Sequence, residues 1–158
     1  MSRPTLDLVM LGVATCLAQR ATCSKLKVGC VLVDEDGHII GSGYNGNPRD
    51  MPHCIDEPCK GASAPKGSDL CEAVHAEANA LLNCQDVSKI YTCYTTHAPC
   101  LRCAKTLLNT GCYRIVYYTK GYELSAMDLW LRADRYWDEV DGNFLVSLDP
   151  DGTVHFYF

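Results

Sequence analysis

Ile90-Tyr-Thr-Cys-Tyr-Thr95, then Cys100-Leu-Arg-Cys-Ala-Lys-Thr-Leu-Leu-Asn-Thr110 closed by Gly111, then Tyr113-Arg-Ile-Val-Tyr-Tyr118 is the stretch that decides the fold class. Its two outer parts are short apolar runs rich in β-branched and aromatic residues, the pattern of buried strands. Between them the apolar positions recur at helical spacing and stop at a glycine. A strand, a helix and a strand in that order predict at least partly parallel pairing with helices covering the sheet, an α/β architecture.

Working outward, residues 72–83 read as a second helix. Val28–Val33 and His38–Tyr44 read as strands joined by the acidic turn Asp34-Glu-Asp-Gly37. Leu6, Val9, Met10, Val13 and Leu17 lie at helical spacing within residues 5–20, with Pro4 tolerable in the opening turn. Beyond Gly121, Ser125 and Asp128 form a capping pair that would open a helix carrying Ala126, Leu129, Trp130, Ala133, Trp137 and Val140 on one face. Phe144–Leu148 and Thr153–Phe158 flank Asp149-Pro-Asp-Gly152 as a final hairpin. Residues 45–69 are rich in Gly, Pro, Asp and Ser and have little periodicity, so they read as a loop. A loop of that length is functional or tied down. With no internal repeat and no linker, the 158 residues read as a single domain, 1–158.

Composition narrows the class further. Apolar residues make up 47% and charged residues 21%, ordinary for a folded domain. No apolar run approaches a membrane span, and the start, Met1-Ser-Arg-Pro4, lacks an apolar signal core, so a soluble cytoplasmic protein is expected. The net charge of −5 is uneven: residues 1–120 carry 12 basic and 11 acidic side chains, residues 121–158 carry 2 and 8. No continuous basic face exists to displace counterions from a polynucleotide, which leaves a small anion held by a few cations as the expected partner. Eleven cysteines in a chain without an export signal point to metal ligands, catalytic groups or small core residues rather than disulfides.

His75-Ala-Glu77 and Pro99-Cys-Leu-Arg-Cys103 carry the chemistry. Residues two apart on a helix face nearly opposite ways, so His75 and Glu77 address one point only at the very start of their helix. Cys100 and Cys103 share a face, and Pro99 suits a helix start, where the unpaired N–H groups favour thiolate. One imidazole and two thiolates are three ligands for zinc, with the fourth position left to water. Glu77, a poor further ligand, is placed to move that water's proton onto an amidine-like base and then onto its leaving amine. The bland alternative is two ordinary helix residues beside a structural zinc clip or a redox pair. The pattern His-x-Glu with Pro-Cys-x-x-Cys is that of the zinc deaminases, which favours the catalytic reading.

Cys23, Cys54, Cys59 and Cys71 flank the early strands and the long loop, and four thiolates on a second, structural zinc would fasten it, with His53 or His97 as substitute ligands. Cys16, Cys30, Cys84, Cys93 and Cys112 fall in apolar patterns and read as core. Gly43-Tyr-Asn-Gly46 looks like a hairpin turn, but no strand follows, so the Asn45 side chain is expected to be free for a ligand hydroxyl. Lys25 and Lys27, read alone, are a solvated charge pair.

Together these residues resemble the deoxycytidylate deaminases, especially the short phage and bacterial forms, from about Leu6 to Tyr122. The likeness rests on Cys23-Ser-Lys-Leu-Lys-Val-Gly29, Gly43-Tyr-Asn-Gly-Asn-Pro48, Pro52-His-Cys54, His75-Ala-Glu-Ala-Asn-Ala80 and Pro99-Cys-Leu-Arg-Cys-Ala-Lys105. It implies a three-layer α/β/α sandwich with a mixed five-strand sheet, a homohexamer, and hydrolysis of dCMP to dUMP and ammonia on the route to thymidylate, in the host cytoplasm if the gene is a phage's. It also implies catalytic zinc on His75, Cys100 and Cys103, with Glu77 as proton shuttle. Substrate contacts would come from Ser24, Lys25, Lys27, Asn45, Ala76 and Tyr122: Asn45 on the sugar, Lys25 or Lys27 near the phosphate, Tyr122 closing over the substrate. Activation by dCTP and inhibition by dTTP, with Mg2+, would act through Gly43, Tyr44, Asn45 and Gly46. Cys23 and Cys54 match ligands of a second zinc in phage members. His97 stands where the family has a small or apolar residue, and the tail after Tyr122 is longer and more acidic. The competing functions are deamination of dCTP or deoxycytidine, deamination of a single-stranded nucleic acid, and a non-catalytic zinc module.

Overall fold

The computed structural model describes residues 3–121, 124–142, 146–151 and 153–156. Five strands form one mixed sheet: β1 (Gly29–Val33), β2 (Ile39–Tyr44), β3 (Thr92–His97), β4 (Arg114–Thr119) and β5 (Tyr136–Glu139), in the order β2-β1-β3-β4-β5. β1 runs antiparallel to both its neighbours, whereas β3, β4 and β5 are parallel. This is the parallel pairing expected from the strand, helix and strand at 90–118.

Helices cover both faces. α1 (Leu6–Ala18) packs Met10, Leu11 and Ala14 against Val31, Val33, Tyr94 and Val116 on one side. On the other side α2 (Ala76–Leu82), α3 (Leu101–Leu108) and α4 (Leu124–Arg132) bring Ala76, Ala80, Ala104, Leu107 and Trp130 onto Leu32, Cys93 and Ile115. The result is the three-layer α/β/α arrangement. Asp7 of α1, Arg114 of β4 and Asp138 of β5 cross-link it: Arg114 donates to both carboxylates at 2.6–2.8 Å. No helix among the described residues is long and apolar enough to cross a membrane.

Three expectations need correction. The helix expected to reach Val140 stops at Arg132, where the Asp134 amide reaches Leu131 and the Arg135 amide reaches Trp130 around Asp134 in the left-handed region (φ 56°). That is a helix-ending motif made without the usual glycine, so nothing in the composition announced it. Trp137 then lies in β5 and packs with the α2–α4 side, and Val140 packs with the α1 side. Second, Ser125 sits inside α4 rather than at its cap, and Asp128 pairs with Arg132 one turn on. Third, Cys16 is exposed on α1 and Cys84 is half-buried, while Cys30, Cys93 and Cys112 are core as expected. The final hairpin is present as β6 (Val146–Leu148) and β7 (Val154–Phe156), paired antiparallel.

Between β2 and α2 the chain forms a succession of turns with one isolated bridge, Gly46 to Val74. Few backbone bonds tie this segment to the rest of the fold. One is the Ile55 amide donating to the Thr22 carbonyl.

Candidate active site

α2 and α3 begin side by side, and each begins on a metal-ligating residue type. His75 is the cap of α2 (φ −68°, ψ 154°) and Cys100 the cap of α3 (φ −70°, ψ 167°). Both backbones are extended, and neither side chain caps its own helix. The side chains meet each other instead: His75 Nδ1 lies 3.5 Å from Cys100 Sγ and 3.5 Å from Cys103 Sγ. All three ligand atoms lie within 4.8 Å of one another. The extended cap conformation is what lets His75 and Glu77, two apart in sequence, serve one corner.

Hydrogen bonding from Cys103, opposed by burial and joined by His75, holds the Cys100 thiol down at about 3. The same contact pushes Cys103 up, and the Cys100 contact raises His75. A divalent cation between the three would take the place of the shared protons. One imidazole nitrogen and two sulfurs, with a fourth direction left open, suit zinc at a catalytic site. Glu77 is 4% exposed, and burial pushes its carboxyl up. It interacts with both His75 and Cys103, so it faces the same corner.

A cavity of about 610 Å3 lies away from this corner, lined by Tyr118, Thr119, Glu139, Val140, Asp141 and Gly142. Tyr118 and Val140 pack on the α1 side of the sheet. Convergent donors, not volume, mark the reactive site. Among the described residues one other group of donors converges, Asp34, Asp36 and His38 in the β1–β2 turn, where Asp34 already accepts the backbone amides of Asp36 and His38.

The remaining candidate residues separate into several groups. Cys23 and Cys54 are buried, Cys59 is half-buried and Cys71 is exposed, and no three of their sulfurs converge as the first set does. Cys54 is nonetheless prepared for the thiolate form: donation from the Cys59 amide (3.4 Å) and from Ser24 Oγ (3.2 Å) brings its thiol down to about 7. His53 is exposed, and His97 is half-buried with its Nδ1 2.9 Å from Thr96 Oγ1. Lys25 donates its ammonium to the Ala64 carbonyl, and Lys27 and Ser24 are exposed. Ala76 is buried at the start of α2. Tyr122 lies outside the described residues.

Asn45 is not free, contrary to the reading of its side chain as unengaged. Its Oδ1 accepts the Val28 amide at 2.8 Å and its Nδ2 donates to the Leu26 carbonyl at 2.8 Å. Gly43 sits where a Cβ would strike Ala80 N at 2.5 Å and Ala76 O at 2.7 Å, so it lets α2 press on β2. Tyr44 offers its carbonyl to Asn79 Nδ2 at 2.8 Å. Asn79 was within the quoted motif, yet periodicity assigned it no task. Thr96, whose hydroxyl accepts the Gly29 amide at 3.2 Å, carried no sequence signal.

A family model described as the cytidine and deoxycytidylate deaminase zinc-binding region matches residues 5–119. The deoxycytidylate deaminase of Mycobacterium phage D29 is 42% identical over 125 residues, which are 74% of this chain and 97% of that protein. The deoxycytidylate deaminase of Saccharomyces cerevisiae is 37% identical over 119 residues, 73% of this chain but 38% of that longer protein. Among solved structures, the dCMP deaminase of cyanophage S-TIM5 in complex with dCMP and dUMP superposes with a TM-score of 0.72 at 22% identity, covering 89% of this chain and 100% of that one. At that identity the superposition speaks for the fold.

Proposed function

The chain belongs to the zinc-binding family of cytidine and deoxycytidylate deaminases, and from that premise we propose that it hydrolyses dCMP to dUMP and ammonia. The observation that carries the reading is the convergence of His75, Cys100 and Cys103 beside the buried Glu77. His75, Cys100 and Cys103 would hold the zinc. When bound there, zinc supplies the Lewis acidity that readies a water molecule near neutral pH. Glu77 takes one proton of the attacking water on its carboxylate and passes it to the cytosine ring nitrogen; it then takes the proton left on the added hydroxyl and delivers it to the amine, which departs as ammonia while the ring carbonyl forms. Its burial keeps bulk water from competing for that proton.

The rest of the reading is what the resemblance to the deoxycytidylate deaminases implies for this chain. Ser24, Lys25 and Lys27 form the phosphate end, Asn45 offers the second lone pair of Oδ1 to the sugar, Ala76 lines the base, and Tyr122 closes the site. Gly43-Tyr-Asn-Gly46 serves dCTP and dTTP, with Mg2+, as activator and inhibitor. A second, structural zinc on Cys23, Cys54, Cys59 and Cys71 fastens the turn-rich segment. The functional unit is a one-domain homohexamer of the cytoplasm that supplies dUMP for thymidylate. The net charge of −5 speaks against a polynucleotide substrate.

Absorbance assays on dCMP, dCTP and deoxycytidine, with and without dCTP and dTTP as effectors, test this. Preference for dCMP and opposite responses to the two effectors are expected. Faster turnover of deoxycytidine would remove Lys25 and Lys27 from the phosphate role.

A further inference from the structure

Four consecutive residues, Gly43 to Gly46, contact both the segment that carries Ser24, Lys25 and Lys27 and the start of the helix that follows His75. Asn45, 6% exposed, has all its polar groups on one neighbouring segment. Its amide donates to the Val28 carbonyl (3.3 Å), its carbonyl accepts the Thr22 amide (3.1 Å), its Oδ1 accepts the Val28 amide and its Nδ2 donates to the Leu26 carbonyl. The segment so held, residues 22–28, carries Ser24, Lys25 and Lys27. The next residue reaches the other way. Gly46 and Val74 exchange both backbone hydrogen bonds, at 3.2 and 2.7 Å, and Val74 is the residue before the ligand His75. Gly43 and Tyr44 add the contacts to Ala76, Ala80 and Asn79 that seat α2.

We infer that residues 43–46 are a spacer that fixes the cationic segment 22–28 relative to His75 and Glu77, with Gly46 as a positioning residue for the phosphate end of the substrate. This rests on the reading of the chain as a nucleotide deaminase whose loop cations meet the phosphate. A nucleotide monophosphate has a set distance between its base and its phosphate. A rigid connection between the groups that hold each end converts that distance into selectivity, because an ångström of misplacement costs up to about 100-fold in rate. The neutral nucleoside has no phosphate to place, so a fault in the spacer should be felt selectively by dCMP.

Gly46 offers a clean way to introduce such a fault. Its φ lies outside the left-handed region, so alanine is tolerated by the backbone. A Cβ there would stand 2.3 Å from Thr22 Oγ1, while the next nearest atoms, Thr22 Cβ and N, are at 3.6 and 3.8 Å. The clash is therefore with one oxygen, on the first residue of the held segment. Gly46→Ala should push Thr22 and the cations behind it, and Thr22→Ala should remove the obstacle.

The test is a four-member set, wild type, Gly46→Ala, Thr22→Ala and the double variant, assayed as zinc-loaded enzyme without effectors. The expected result is a fall in kcat/KM for dCMP of about tenfold or more in Gly46→Ala, with deoxycytidine changed by less than about threefold, zinc content unchanged, and the double variant back within about threefold of Thr22→Ala. Equal losses on dCMP and deoxycytidine, or no rescue by Thr22→Ala, would overturn the inference. If Gly46→Ala yields no folded protein, amide exchange in wild type replaces it: the amides of Val28, Asn45, Gly46 and Val74 should open together, with protection alike within about threefold, and independent exchange on the two sides overturns the spacer. A wild type that does not turn over dCMP would defeat the functional reading instead. In that case amide hydrogen exchange still decides the spacer: Gly46→Ala must speed exchange at both Val28 and Val74, and an effect on one side alone refutes the connection.

Discussion

Two regions of this molecule are rich in cysteine, and they are built on opposite principles. At the starts of α2 and α3, His75, Cys100 and Cys103 are delivered by secondary structure: a sheet fixes where each helix begins, and the donors meet within 4.8 Å. Around the turn-rich segment, Cys54, Cys59 and Cys71 hang on backbone with few ties, Cys23 sits on the segment that Asn45 holds, and no three of the four sulfurs meet in that way. A site assembled by a sheet exists before its metal arrives. A site assembled by loops depends on the metal to draw it together, since the binding energy is then also folding energy. The contrast predicts that the first region fails chemically when altered and the second fails structurally.

The strongest challenge to this division is Glu77→Gln. The amide keeps the shape and hydrogen-bonding capacity of the side chain but cannot shuttle a proton, so kcat for deamination should fall by about 10²–10⁴-fold. Zinc content and circular dichroism should match wild type, because His75, Cys100 and Cys103 are untouched. If activity survives, the corner is a metal clip and the sheet-built site is structural like the other.

Cys54→Ser comes next in size and acts on the other side. Metal analysis of wild type should give two zinc per chain, and the variant one. The segment at 47–70 should become cleavable by added protease under conditions where wild type resists. One zinc in wild type, with unchanged proteolysis in the variant, would leave the loop cysteines without a metal and erase the comparison.

How legible each region was follows from the same difference. The strand, helix and strand at 90–118 were readable because each element shows its own period and the helix ends on Gly111. The catalytic corner was readable from Pro99 at the start of α3 and from the spacing of His75 and Glu77, whereas the helical pattern read from 72 overran the true start of α2 at Ala76. Long-range outcomes were not. β5 was hidden inside an apparent helix because Trp130 and Trp137 fit a helical stripe over a short stretch, and Asp134 ended the helix with no glycine to signal it. Asn45 was misjudged as free because its partners, Leu26 and Val28, are 17 to 19 residues away. The Asp7, Arg114 and Asp138 network joins groups up to 107 residues apart, and no sequence window spans it.

That network sharpens the comparison, since it braces the sheet on which the catalytic corner stands. For Asp7, burial pushes the carboxyl up, but the hydrogen bonds from Arg114 and Tyr94 outweigh it and leave it below the usual carboxylate range. A group held low in the folded state adds stability that is complete above its unfolded pKa and disappears as pH falls through the lowered value. Asp7→Asn should therefore lose about 1–2 kcal/mol near neutral pH, less than a fully buried pair because solvent reaches these groups. It should also show a shallower fall in stability below about pH 4 than wild type. Denaturant titrations across pH would check both. A parallel acid limb in the two proteins would mean that the ion pair does not brace the sheet.

The smallest expected effect concerns the point where the two regions touch. Asp69, in the turn-rich segment, meets Arg102 of α3 at 3.2 Å, and both side chains are highly exposed, at 92% and 83%. Exposed pairs gain little because water screens the charges and two long side chains must be held in place. Asp69→Ala should therefore move the thermal midpoint by no more than about 2 °C and kcat/KM for dCMP by less than about threefold. Arg102 lies between the two cysteine ligands in sequence, so a larger kinetic effect would have a definite meaning. The segment would then be setting the field at the catalytic corner through this pair, and the two regions, built on different principles, would be acting as one site.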